Sequence, residues 1–97
     1  MAAGSRSLNG TQDTTLVDVT DATRVTKVMG LTVRETAGAA AVFRIREGSN
    51  AGRIIATVRL AANESADFNW GPVGRKCVGD LVEDWVSGAY EGSVFVL

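Results

Sequence analysis

Few residues of this 97-residue sequence could carry out catalysis. Histidine is absent, which removes the commonest general base, the usual zinc ligand and the histidine of the familiar nucleophilic triads. The single cysteine, Cys77, lacks a second cysteine for a disulfide and a histidine as base or co-ligand, so a small buried apolar residue is expected there. The sequence therefore predicts a protein that is not an enzyme and that carries no cofactor or metal.

Four carboxylates near the C-terminus are the next candidates for chemistry: Asp80, Glu83, Asp84 and Glu91. Their spacing does not match a calcium-binding EF-hand loop, and a catalytic pair of carboxylates can be recognised only from its separation in space. A solvated face is the plainer interpretation. An acidic patch that meets a partner protein is the alternative.

Aromatic side chains offer a third possible chemistry, because Trp70, Trp85 and Tyr90 could together form a sugar-binding platform. The sequence has only six aromatic residues, so packing in the core or at an interface is the favoured interpretation. The two glycosylation sequons, at Asn9 and Asn63, are read as chance matches, because no apolar secretion signal begins the sequence.

The net charge of −1 conceals a division along the chain. Residues 24–59 carry seven basic and two acidic side chains, a balance of +5, whereas residues 60–97 carry two basic and six acidic side chains, a balance of −4. This asymmetry predicts surfaces that attract each other, within a subunit or between subunits. Nucleic acid is not an expected partner, because the net charge is near zero and aromatic residues do not alternate with the basic ones.

The elements that must position these residues are predicted to be strands. Valine, isoleucine and threonine supply 25 of the 97 residues, and such β-branched side chains favour pleated sheets. The fold class is therefore all-β: a single antiparallel β-sandwich of about seven or eight short strands, with a jelly roll as one form of it. Residues 1–13 are small and polar and are expected to be a flexible N-terminal arm, and residues 14–97 form the sandwich domain.

Two strands are expected early in the domain. The first covers residues 15–19 and ends at a turn at residues 20–22. The second covers residues 24–35, where Lys27 breaks the apolar alternation and Gly30 suggests a β-bulge.

The clearest hairpin joins residues 40–47 to residues 53–61 through a glycine-rich turn. Simple alternation places these side chains inward: Ala41, Phe43, Ile45, Ile54, Ala56, Val58 and Leu60. It places Arg44, Arg46, Arg53, Thr57 and Arg59 outward, together with Val42 and Ile55. A face that mixes arginine with aliphatic residues is typical of a protein interface.

The last third of the sequence is less regular. A short strand is expected at residues 75–78. Residues 80–87 fit a helix by apolar spacing, and a strand by their length and surroundings; strand is favoured. A final strand at residues 93–97 follows a turn at residues 88–92.

Two stretches resemble small structural proteins of tailed bacteriophages: residues 41–49 with 55–65 (AVFRIREGS and IATVRLAANES), and residues 86–96 (VSGAYEGSVFV). The resemblance covers roughly residues 24–97, and residues 71–78 depart from it. It implies a compact β-sandwich used as a virion part, a head decoration or cement protein that sits as a trimer on the outer surface of the shell. It also implies that residues 80–87 form a strand.

From the resemblance we expect a homotrimer bound to the major capsid protein on the outer surface of the head, synthesised in the bacterial cytoplasm without a signal peptide. A domain this small has little surplus stability, which also favours association. No membrane contact is expected, because no apolar run approaches 18 residues. The alternative is a sugar- or receptor-binding module of a fibre or tail. The candidate interface residues are Arg44, Arg46, Arg53, Arg59, Trp70, Asp80, Glu83, Asp84 and Tyr90.

Overall fold

The computed structural model describes residues 4–18 and 25–97. The predicted turn at residues 20–22 lies outside the described residues, as do residues 1–3 of the predicted arm. The described residues form nine strands: β1 (Gly4–Ser7), β2 (Thr14–Val17), β3 (Val25–Glu35), β4 (Ala41–Glu47), β5 (Ile54–Leu60), β6 (Ser65–Asn69), β7 (Arg75–Val78), β8 (Leu81–Ser87) and β9 (Tyr90–Val96). Within the described residues there is no helix with the length and apolarity needed to cross a membrane.

Two antiparallel sheets pack against each other. The five-stranded sheet has the order β1-β9-β3-β6, with β7 also paired to β3, and the four-stranded sheet has the order β2-β8-β4-β5. Most strands that are consecutive in the chain lie in opposite sheets, which is the jelly-roll arrangement. The predicted fold class, an all-β antiparallel sandwich, is confirmed.

Strand β3 organises the five-stranded sheet. It pairs with β9 along one side, and along the other side with β7 and then β6. The register shifts between Val28 and Gly30, which confirms the bulge predicted at Gly30. The bulge also explains why Lys27 broke the pattern: the buried positions are Thr26 and Val28 before it, and Leu31 and Val33 after it.

The arginine-rich hairpin forms as β4 and β5, and Ala41, Phe43 and Ile45 point inward as predicted. Two assignments are wrong: Ile54, placed inward, is 43% exposed, and Ile55, placed outward, is 6% exposed. The cause is a second bulge, because Ala56 lies opposite Ile45 but Ile54 lies opposite Arg46. Ile55 is the extra residue, and the inward phase of β5 changes there.

The last third of the chain is more regular than its sequence suggests. The strand predicted at residues 75–78 is β7, and residues 81–87 form strand β8 rather than a helix. Strand β9 begins at Tyr90, three residues earlier than expected, so the turn shrinks to Gly88 and Ala89. Strand β6 had no counterpart among the predicted strands.

Residues 4–13, expected to belong to a flexible arm, take part in the sandwich. Strand β1 pairs with β9, with Gly4 opposite Val96, and the amide of Leu8 donates to the carbonyl of Gly92 at 2.9 Å. The Leu8 side chain is buried. The polar sequence of β1 gave no strand signal because its pairing depends on backbone hydrogen bonds rather than on an apolar face.

The core lies between the two sheets and takes side chains from both, such as Leu31 of β3 and Phe43 of β4, neither of which is exposed. Cys77 is also fully buried, as predicted, and its Sγ donates to the carbonyl of Asp80 at 3.4 Å. Burial is the main cause that raises the pKa of the Cys77 thiol to about 11. The residue therefore serves as a packing group.

Candidate interaction surfaces

Three of the four predicted arginines lie on the outer surface of the four-stranded sheet, which we call the arginine face. Arg44 lies opposite Thr57 on β5 and Asp84 on β8. The face is formed by Val42, Arg44, Arg46, Ile54, Thr57, Arg59, Asp84 and Val86.

A single carboxylate serves two arginines of this face. Arg46 donates through Nε to Asp84 Oδ2 at 2.7 Å and through Nη1 to the carbonyl of Gly52 at 2.8 Å. Arg44 Nη1 lies 3.8 Å from the same carboxylate oxygen. Arg59 is exposed and makes no ion pair with any described residue. The face therefore keeps an excess of positive charge.

Aliphatic side chains lie among these arginines. Ile54 is 43% exposed and Val86 is 39% exposed, and Val42 is partly exposed. The mixture of arginine and aliphatic side chains predicted for the outer face of the hairpin is thus present, although Ile54 rather than Ile55 is the exposed isoleucine. Exposed aliphatic groups next to arginine are favourable at the centre of a protein–protein contact.

Arg53 is the predicted arginine that does not join this face. Its guanidinium binds both oxygens of Glu47, with Nε to Oε1 at 2.6 Å, and also donates to the carbonyl of Lys76 at 2.9 Å. Glu47 accepts a further hydrogen bond from the amide of Val78 at 2.8 Å. Arg53 and then this amide hold the pKa of Glu47 below its usual range. Arg53 therefore fastens the hairpin to β7.

Glu83 is not a surface residue, although it was predicted as part of an acidic interface. Its side chain has no exposed area. The carboxylate accepts hydrogen bonds from the amide of Asn9 at 2.7 Å, the amide of Gly10 at 3.0 Å, and the hydroxyl of Tyr90. Because Glu83 is on β8, it fastens the chain between β1 and β2 to the middle of the four-stranded sheet.

Tyr90 is buried as well and cannot meet a partner or a sugar. It is 3% exposed, and its ring stacks on Phe43 with centroids 4.2 Å apart. Burial and then the hydrogen bond to Glu83 raise the pKa of its hydroxyl strongly.

The aromatic platform considered from the sequence is not assembled. Trp70 stacks near Phe68 at 6.2 Å, and the Arg75 guanidinium lies 4.5 Å from the centre of the Trp70 ring. The indole N–H of Trp85 donates to the carbonyl of Gly88 at 2.9 Å. Trp70 follows β6 in one sheet and Trp85 belongs to β8 in the other, and both pack partly against the core.

Asp80 lies between β7 and β8, partly exposed, and its carbonyl accepts the amide of Gly48 at 2.8 Å. It is not gathered with Asp84 or Glu91 into a metal site: in residues 4–18 and 25–97 no three His, Cys, Asp or Glu side chains come together to hold an ion.

The charge division along the chain is partly neutralised within the subunit. Ion pairs join Arg34 to Glu91, and Arg44 and Arg46 to Asp84. Each of these pairs links the basic central segment to the acidic last third. The sequence left open whether the basic and acidic segments attract each other within a subunit or between subunits. For Arg34, Arg44 and Arg46 the attraction lies within the subunit.

Sequence reasoning missed two features. The first is Glu35, which is buried and accepts hydrogen bonds from the amides of Asn63 at 2.7 Å, Gly38 at 2.9 Å and Ala37. The amide of Asn63, which has a left-handed backbone with φ of 62°, is the main cause that lowers the pKa of Glu35. Glu35 thus joins the β3–β4 turn to the β5–β6 turn.

The second missed feature is an open groove of about 520 Å³ on the outer surface of the five-stranded sheet, which we call the polar groove. Its polar side chains come from β1, β3, β6 and β9: Ser7, Thr32, Arg34, Ser65, Asp67, Glu91 and Ser93. Only the register of four strands brings these residues together, so the sequence pattern carries no signal for it.

Comparison with protein-family models, with curated proteins and with solved structures finds no match to this chain.

Proposed function

We propose that this chain is a non-enzymatic structural protein of a tailed-bacteriophage virion, a head decoration or cement protein that binds the major capsid protein on the outer surface of the head, as a homotrimer. The resemblance of residues 24–97 supports this proposal. The jelly-roll arrangement is compatible with it, since viral capsid and lectin domains use this fold, although the fold alone does not define a function.

The arginine face is the observation that carries the docking part of the proposal. Three arginines and two exposed aliphatic side chains surround one carboxylate, so the face is complementary to an acidic surface with apolar patches. Such charge complementarity sets the orientation and the rate of docking. Arg59 is the best probe, because it has no ion pair to lose in the described part of the chain.

The test uses phage heads that lack the protein, to which the purified chain is added back. Arg59→Glu should lower the occupancy on the heads and weaken its dependence on salt. Lys27→Glu is the matched control, because it makes the same change of charge at an exposed position of the opposite sheet. Equal loss with both variants, or no loss with Arg59→Glu, would refute docking through the arginine face.

Two further measurements test the rest of the proposal. Light scattering across a range of concentrations should show a trimer, and a monomer throughout would refute that part. Imaging of virions should place the chain at regular sites on the outer head surface. Deletion of residues 2–13 would be a poor test of docking, because it removes β1 and two of the hydrogen bonds to Glu83.

The alternative function is a sugar- or receptor-binding module of a fibre or tail. Trp70 and Trp85 do not support it, since Trp70 follows a strand of one sheet and Trp85 belongs to a strand of the other. An aromatic platform made by these residues with Tyr90 is excluded by the burial of Tyr90.

A further inference from the structure

We propose that the polar groove is a binding site for neutral saccharides. This site lies on the opposite sheet from the arginine face and does not depend on docking to a shell. It is also distinct from the tryptophan platform, because none of its lining residues is aromatic.

The floor of the groove is a continuous row of short polar side chains. Ser7 lies opposite Ser93, Ser93 lies opposite Thr32, and Thr32 lies opposite Asp67. The row crosses four neighbouring strands and so spans three strand spacings, roughly 14 Å. This length accommodates a short linear oligosaccharide.

Larger side chains border the row on both sides. On one side Arg34 and Glu91 form an ion pair at 2.6 Å, and both are more than half exposed. On the other side the next outward residue of β9 is Phe95, which is 40% exposed and lies opposite Gly30. The groove exists because residues with small side chains lie between these two borders.

The groups of the floor are available to a ligand. Within residues 4–18 and 25–97 the side chains of Ser7, Thr32, Asp67 and Ser93 make no hydrogen bond to another protein group. They offer hydroxyl donors and acceptors and one carboxylate acceptor, and Arg34 adds donors at the border. The exposed Phe95 ring offers an apolar face at the opposite border, beside Ser93 along β9.

The balance of charge selects the class of ligand. The lining carries two carboxylates, Asp67 and Glu91, and one guanidinium, Arg34, which is already paired, so a phosphate, a sulfate or a nucleic acid would be repelled. A hydroxyl-lined floor does not suit a purely apolar ligand, whose binding would strip water from these groups. A neutral polyhydroxy compound with alternating polar and apolar faces satisfies both conditions.

The experiment begins with an array of neutral, sialylated and sulfated oligosaccharides, followed by titration of the isotope-labelled protein with the best neutral binder. We expect chemical-shift changes at the amides of Thr32, Asp67 and Ser93. Binding confined to acidic sugars, changes confined to the arginine face, or no binding by any neutral sugar would each overturn the proposal.

Two variants then test the groove itself. Asp67→Ala should weaken binding about tenfold, because it removes the charged acceptor. Ser93→Tyr should abolish binding by filling the floor. Thr57→Tyr is the matched control, since it places the same aromatic side chain at an outward strand position of the opposite sheet. Melting temperatures establish that each variant is folded, and unchanged affinity in Ser93→Tyr would refute the site.

This outcome is separable from the proposed docking function. Arg59→Glu should leave saccharide affinity unchanged, and Ser93→Tyr should leave occupancy on phage heads unchanged. Failure of the saccharide site would therefore not count against docking, which is judged by occupancy on phage heads. Failure of docking would likewise not count against the saccharide site, which is judged by saccharide affinity.

Discussion

Replacing Glu83 by alanine should be among the most damaging single changes in this protein. The side chain is fully buried and serves three donors, namely the amides of Asn9 and Gly10 and the hydroxyl of Tyr90. In Glu83→Ala the amide of Gly10 and the Tyr90 hydroxyl stay buried without an acceptor. Each such orphaned group costs about 1–3 kcal/mol, so the two together predict a loss of about 2–6 kcal/mol in the free energy of unfolding.

That loss is large beside the total stability of a domain this size, about 5–15 kcal/mol. The assay is urea unfolding followed by tryptophan fluorescence, with hydrogen exchange at the amides of Asn9 and Gly10. Both amides should exchange faster in the variant because the segment that they anchor is released. Tyr90→Phe removes one donor but keeps the acceptor, so it should cost only about 1 kcal/mol.

Glu91→Ala provides the matched control, because Glu91 is 60% exposed and its one ion pair in residues 4–18 and 25–97 is with an exposed Arg34. Exposed pairs of this kind contribute about 0–1 kcal/mol. If Glu83→Ala and Glu91→Ala proved equally stable, the reasoning about the buried carboxylate would be refuted. If Glu83→Ala does not fold at all, Glu83→Gln, which keeps one acceptor, should be intermediate in stability.

Three further predictions concern other parts of the sandwich. The pKa of Glu35 is lowered in the folded state, so its contribution to stability is present above about pH 4.5 and is lost as the pH falls further. The difference in unfolding free energy between wild type and Glu35→Gln, measured by urea unfolding, should therefore be smaller at pH 3 than at pH 7. At pH 8 the Cys77 thiol should react with a disulfide reagent about 100-fold slower than a free thiol, because its pKa is about 11, and should react fully in denaturant. Gly30→Ala should cost about 1–3 kcal/mol in urea unfolding, because a Cβ there would lie 2.2 Å from the carbonyl oxygen of Phe68.

Each of these predictions has a contrary result. A gap for Glu35→Gln that is independent of pH would contradict the assigned stabilisation, and rapid labelling of native Cys77 would contradict its burial. For Gly30 the comparison is Gly38→Ala, where no atom lies within 4 Å and only the left-handed backbone, with φ of 75°, adds a cost of about 1 kcal/mol. A larger loss for Gly38→Ala than for Gly30→Ala would be inconsistent with close approach of β6.

The strands that could be predicted are those whose apolar side chains alternate. Strands β4 and β5 carry such a pattern, and so the hairpin and its arginines followed from the sequence. The sequence did not predict that Ile55 rather than Ile54 is buried, because a bulge depends on how two strands pair. In one strand considered alone, either isoleucine could point inward. Strand β1 was missed since it contributes almost no apolar side chain to the core.

The candidate site was less predictable than the fold. Glu83 follows the polar spacing of a solvated face, and only the folded chain reveals the amide donors 73 and 74 residues away that allow its burial. Tyr90 was wrongly expected at an interface for the same reason, because the burial of its hydroxyl depends on the partner Glu83, which the sequence pattern does not reveal. The polar groove depends on the register of four strands, whereas a sequence pattern describes one strand at a time.

The order of the strands has a consequence for synthesis. Strand β9 lies between β1 and β3 in one sheet, and β8 lies between β2 and β4 in the other, so two strands that are synthesised after the other seven fill interior positions in both sheets. Until they emerge, β1 and β2 lack the strands with which they pair in the described sheets, and the β4 edge of the arginine-rich hairpin is unpaired. A nascent chain that pauses before residue 81 is thus prone to aggregate, and completion of the native sheets must wait until both β8 and β9 have emerged.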